Sequence, residues 1–140
     1  MGAWGYGPFD NDGGMDFIVE LAERPDEAES ALREAMTVAK ETDYLDWDEA
    51  SAAIVAACLV ADRLSPGLIT HTVGREYADR LVFTPSEELR ELAAGVFSRA
   101  YQPVENEWYE LWDEADDLPL VHAEHDPFQL ALSAGAGRRQ

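Results

Sequence analysis

The stretch DWDEASAAIVAACLVADRLSPG (residues 46–67) decides the fold. Alanine loses no side-chain freedom in a helix and is the best helix former, so this run predicts one long helix. Asp46 and Glu49 stand at the spacing of a capping box, in which the first side chain takes an amide and the second reaches back. Ser65-Pro66-Gly67 supplies the stop, with Gly67 suited to the backbone turn that ends a helix. From Ala50 to Ala61 there is no charge on any side. A helix apolar nearly all round is central and covered by others. Its uncharged run is too short for a bilayer, which takes roughly 20 apolar residues.

Elements that could cover this rod lie on both sides of it. Asp12 opens a helix to about Arg24, with Met15, Ile18, Leu21 and Ala22 on one side. Pro25 interrupts the chain, and Asp26 with Glu29 caps a second helix that turns Ala28, Ala31, Leu32, Ala35, Met36 and Ala39 inward. Residues 68–83 read as a short extended start and a brief helix over Glu76–Val82. Thr84, Pro85 and Glu87 then signal a helix start, and Leu89, Leu92, Ala93, Val96, Phe97 and Ala100 form its apolar stripe. Pro103 closes it, and residues 104–117 form an acidic helix. The expected fold is all-α, a compact orthogonal or bundle-like domain of about five helices. The whole chain, 1–140, reads as a single helical domain. Residues 1–11 read as an extended Gly/aromatic arm packed on the core, 118–140 as an irregular tail, and GAGRRQ (135–140) as frayed.

Charge narrows the function. Twenty-nine acids against ten bases give −19, a field that repels phosphates and anionic membrane. No direct nucleic-acid or membrane binding is expected; a basic protein partner is. Nine of the ten bases are Arg, which suggests a bacterial source, and no secretory signal is read, so the expected location is cytoplasmic. Met1-Gly2 lacks the Ser or Thr that myristoylation wants at position 6. Cys58 is alone, so no intramolecular disulfide forms.

The acidic helix is the main candidate for binding. Val104, Trp108, Leu111, Trp112 and Ala115 fall on one face, and Glu107, Glu110, Asp113, Glu114 and Asp117 on the other. Val104 to Asp126 contains nine acids and neither Lys nor Arg. Like charges at i, i+3 and i+4 repel, and nothing local relieves them. The plain reading is a solvated face; the sharper one is a docking surface backed by two tryptophans. Asp10 and Asp12 join it as candidate partner-binding residues.

Chemical motifs are few. DNDGG (10–14) alternates acids like a calcium loop, but Gly14, Met15 and Leu21 occupy the fifth, sixth and twelfth positions, where an EF-hand needs a ligand, Gly and Glu. HAEHD (122–126) groups His122, Glu124, His125 and Asp126 without matching a metalloenzyme template. A small metal-dependent enzyme or metal-binding protein using His122 and His125 is the alternative function. No residue is assigned a catalytic role, and no cofactor is expected.

The opening MGAWGYGPFDNDGGMDF, with Trp4, Gly5, Gly7, Phe9, Asn11, Asp12 and Asp16, resembles the start of domain of unknown function 4259, a family of small acidic helical bacterial proteins. ETDYL (41–45), the Ala-rich helix and ENEWYELWDEA (105–115) extend the similarity to about Asp117. The resemblance implies the helical fold and a bacterial cytosolic setting; it supplies no activity. Gly14 stands where the family usually has Ala, which predicts a looser first turn of the first helix. The leading expectation is a non-catalytic acidic interaction module for a basic partner such as a toxin or nuclease, of immunity, antitoxin or nucleic-acid-mimic type.

Overall fold

A computed structural model describes residues 3–137; Met1, Gly2 and the Arg138–Gln140 part of GAGRRQ lie outside the described residues. Seven α-helices form among them: α1 (Asp12–Glu23), α2 (Ala28–Glu41), α3 (Trp47–Leu64), α4 (Thr72–Ala78), α5 (Glu87–Ala100), α6 (Glu107–Glu114) and α7 (Leu118–Gly137). The described chain has two isolated β-bridges and no strand.

The Ala-rich helix α3 is the hub. The Asp46–Glu49 capping box forms, with the Glu49 amide 2.7 Å from Asp46 Oδ1. Every residue from Ala53 to Asp62 is buried. The small alanines let α1, α2, α5 and α7 approach α3 on different sides, and α6 meets it too. Helix α5 also packs on α2 and α7, and α4 leans on α1. Ile54, Val55, Leu59 and Val60 then meet Ile18, Leu32, Met36, Leu89, Val96 and Phe97 in one core. Each large aliphatic side chain so buried stabilises the fold by about 1.5–3 kcal/mol.

Several starts differ from the sequence reading by one to four residues, because caps are chosen by local geometry. Asn11, not Asp12, caps α1, its Oδ1 taking the Gly14 amide at 2.7 Å. Pro25–Glu27 make a 3₁₀ turn, and α2 follows without a side-chain cap. Ser86 replaces Thr84 as the cap of α5. The short α4 starts earlier than expected, at Thr72, because His71 Nδ1 accepts the Gly74 amide at 3.0 Å.

Residues 118–137 are a helix, not the expected irregular tail. Pro119 sits in the first turn, where no intrahelical amide is required. Pro127 removes one backbone donor within α7. The helix holds because Val121, His125, Phe128, Ala131 and Leu132 are buried at spacings of three and four. That added helix and α4 bring the count above five.

The N-terminal segment is not extended. Ala3 bridges to Asn11, the Trp4 amide donates to the Asp10 carbonyl at 2.9 Å, and the loop closes on itself. Of its three rings only Phe9 is buried; Trp4 and Tyr6 are exposed. The glycines admit Asp10: a Cβ on Gly5 would lie 2.6 Å from Asp10 Oδ2. Gly14 is likewise required by close approach, since a Cβ there would lie 2.6 Å from the Pro8 carbonyl oxygen and 2.8 Å from Val55 Cγ2. The missing side-chain volume at Gly14 lets α1, the loop and α3 meet. No helix of the described residues is long and apolar enough to cross a membrane.

Candidate functional site

Helix α6 is placed by one buried asparagine. Asn106 is fully buried; its Oδ1 accepts the Tyr109 amide at 2.9 Å. Its Nδ2 donates to the carbonyls of Ala100 and Gln102, both at 2.9 Å. One side chain thus caps α6 and ties it to the end of α5. Leu45 adds a second tether, exchanging backbone hydrogen bonds with Glu105 and Glu107 at 2.9 and 2.8 Å. The ETDYL and ENEWYEL stretches of the sequence are therefore neighbours.

Of the candidate acidic face, the structure keeps part on the outside. Glu110, Asp113 and Glu114 are exposed. Glu107 is turned inward to cap α3, its Oε1 accepting the Trp47 amide at 2.7 Å. Asp117 is half-buried, and its carbonyl accepts the first amides of α7. Asp12 is exposed on the first turn of α1, and Asp10 belongs to the N-terminal loop. The helix begins at Glu107, so Val104 is exposed before it and does not join the buried face; Ala115 is exposed too.

Beneath the acids lies an aromatic layer. Trp108 and Trp112 are buried; Trp112 meets Trp47 at 5.7 Å between ring centroids and Tyr6 at 5.9 Å. Tyr44 is 45% exposed. Partial desolvation and the carboxylates of Glu107, Glu110, Glu105 and Asp46 hold its phenol above the ordinary pKa. Exposed rings thus border exposed carboxylates.

The histidines of HAEHD separate. His125 is buried, stacked on Trp108 at 5.9 Å, with Nδ1 2.7 Å from the Tyr101 hydroxyl. Burial, then the neighbouring His122, lowers its pKa to about 3, so the ring is neutral at pH 7. Burial also pushes the Tyr101 phenol up, helped by Cys58 and Asp126. His122 is exposed, with its Nε2 4.0 Å from Asp126 Oδ1. Among the described residues no group of three or more His, Cys, Asp or Glu is placed to hold a metal ion. Burial, with Asp62 nearby, raises the Cys58 thiol well above its usual value, which makes it a poor nucleophile.

A second acidic place escapes sequence reading, because its parts are distant in the chain. Gly7–Asp10, residues 68–71 and Glu124, Pro127 and Phe128 of α7 line a cleft of about 330 Å³. Asp10 Oδ2 accepts the Gly7 amide at 3.1 Å, and its Oδ1 lies 3.7 Å from His71 Nε2.

The sequence profile of the family described as Domain of unknown function (DUF4259) matches residues 2–124, and the chain belongs to that family. The match covers the N-terminal loop, α1 to α6 and the start of α7. No curated protein and no solved structure gives a match.

Proposed function

We propose that this member of the DUF4259 family is a non-catalytic interaction module that binds a basic protein through the acidic, aromatic-bordered surface of α6. The supporting observation is the pairing of exposed rings with unrelieved charge. Tyr6, against Trp112, and Tyr44, beside Glu110, stay exposed around a helix that presents Glu110, Asp113 and Glu114. No ion pair among the described residues relieves those three acids. Aromatic rings are enriched where proteins bind proteins, and carboxylates at α-helical neighbour spacing gain from a cationic partner what they lose to each other. Asn106 and the two buried tryptophans hold the surface rigid, which limits the ordering cost of association.

Neutralising a basic toxin or nuclease, in a bacterial cytoplasm, is the concrete form of this role. The net charge of −19 favours such a partner over nucleic acid. The test is affinity capture from the native host with wild type and with Glu110→Lys, Asp113→Lys and Glu114→Lys combined. A basic protein held by wild type, released by salt and lost from the triple variant is the expected result. A folded triple variant that keeps every partner overturns the proposal and leaves these acids as solvated surface.

A further inference from the structure

We infer that Ser51 of α3 and His125 of α7 hold one buried water molecule between them, beside the N-terminal loop. The site is independent of any partner that α6 binds.

Two unpaired polar groups meet at one cavity. Ser51 is 2% exposed, and among the described residues its Oγ has no hydrogen-bond partner. A buried hydroxyl in that condition is costly, and protein interiors pair such groups with other side chains, backbone or ordered water. His125 is equally buried, and its ring makes one hydrogen bond, between Nδ1 and the Tyr101 hydroxyl. Among the described residues nothing bonds to its other nitrogen, Nε2. Ser51 and His125 both line a cavity of about 10 Å³, together with residues 6–8 of the loop and Asn11. Asn11 Nδ2 gives one proton to the Pro8 carbonyl and keeps a second, so the lining carries a third polar group.

Size and chemistry select water. A cavity takes one water molecule at about 10–15 Å³ and holds it with two to four polar partners. Either tautomer of His125 suits it. If the Tyr101 hydroxyl donates to Nδ1, Nε2 carries the proton and donates; if Nδ1 donates, Nε2 accepts. Water answers both roles, and so does the serine hydroxyl on its other side. No carboxylate lines the cavity, so a cation finds no counter-charge there, and the described residues form no group able to hold a metal ion. The competing way to satisfy Ser51 is a bond back to the Trp47 carbonyl, four residues earlier in α3; its Oγ makes no such bond. Through the water, Ser51 and His125 join Tyr101, the residue that ends α5, so one polar chain links α3, α7 and α5.

The test is a high-resolution crystal structure of the protein and of Ser51→Ala, with water–protein nuclear Overhauser effects in solution. Wild type should show one water within about 2.7–3.2 Å of both Ser51 Oγ and His125 Nε2. The His125 ring protons should show the sign of effect that a long-resident water gives. Ser51→Ala removes only a hydroxyl, and melting curves verify that it folds. It should lose the ordered water and the water–His125 effect, and move the Nε2 ¹⁵N shift. Ser51 Oγ turned onto the Trp47 carbonyl above an empty cavity would overturn the inference. So would a water whose effect on His125, and an Nε2 shift, that stay unchanged in Ser51→Ala.

Discussion

Replacing Asp62 by alanine should unlatch the segment between α3 and α5. The Asp62 side chain is 4% exposed, and its Oδ1 accepts the amides of Gly67, Leu68 and Ile69 at 3.2, 2.9 and 3.1 Å. Arg75 Nη1 and Nη2 meet its two oxygens, each at 2.9 Å. Next to it, Arg63 donates to the carbonyls of Ala78, Leu81 and Phe83. Removing the carboxylate leaves the buried Ile69 amide without its acceptor, a loss of about 1–3 kcal/mol. Breaking a buried ion pair costs about 3–5 kcal/mol when the survivor is stranded. Arg75 is not stranded: it is 30% exposed and keeps Asp79. A total near 3 kcal/mol is therefore expected for Asp62→Ala, or about 10 °C in Tm for a chain of this size. Asp62→Asn keeps an acceptor for the amides and should lose about half as much.

Urea unfolding followed by tryptophan fluorescence measures this, provided the slope with denaturant is unchanged. Burial alone would raise the Asp62 pKa, but the Arg75 hydrogen bonds and the Ile69 and Leu68 amides outweigh it and hold the value low. A carboxyl lowered in the folded state stabilises above its unfolded pKa, about 3.9, and loses that contribution as pH falls through the folded value. The gap between wild type and Asp62→Asn should thus be full at neutral pH and close below about pH 4. An Asp62→Ala protein within about 1 kcal/mol of wild type at pH 7 would refute the latch, because even one stranded amide costs that much.

Three further outcomes are expected. Gly14→Ala gains about 1 kcal/mol of helix propensity but forces a methyl against the Pro8 carbonyl, so a net loss of about 1–2 kcal/mol is predicted; a higher Tm would contradict the packing. His125 has a folded pKa of about 3, so the unfolded chain takes up its proton first, near pH 6.5, and stability falls from there toward pH 3 by up to about 1.4 kcal/mol per unit. His125→Gln should remove one proton's worth of that slope between pH 6.5 and 4.5 in urea titrations, and equal slopes would count against burial of the neutral ring. Asn106→Ala should cost about 2–3 kcal/mol, by uncapping α6 and leaving the Ala100 carbonyl unpaired, with a loss of near-ultraviolet tryptophan ellipticity.

Legibility followed the range of the interactions. The capping box at Asp46 and Glu49 and the uncharged run behind it are local signals, and they form as read. Helix α7 was hidden because a histidine stands in the middle of its buried stripe and two prolines punctuate it. Only the rings of Phe97, Tyr101 and Trp108 around His125 make that position apolar. Glu107 counted as surface by helical phase, yet the Trp47 amide draws it inward. Asp10, His71 and Glu124 gave no joint signal, since their proximity arises from three separate elements.

By itself the sequence determined the helical class, the covered central rod and a negative field hostile to phosphate, because propensity, periodicity and net charge are properties of the chain and its near neighbours. The tertiary structure alone decided which acids face solvent, which histidine is neutral and that Ser51 and His125 line one cavity. Burial and convergence depend on residues far apart in the chain, and only packing sets their distances.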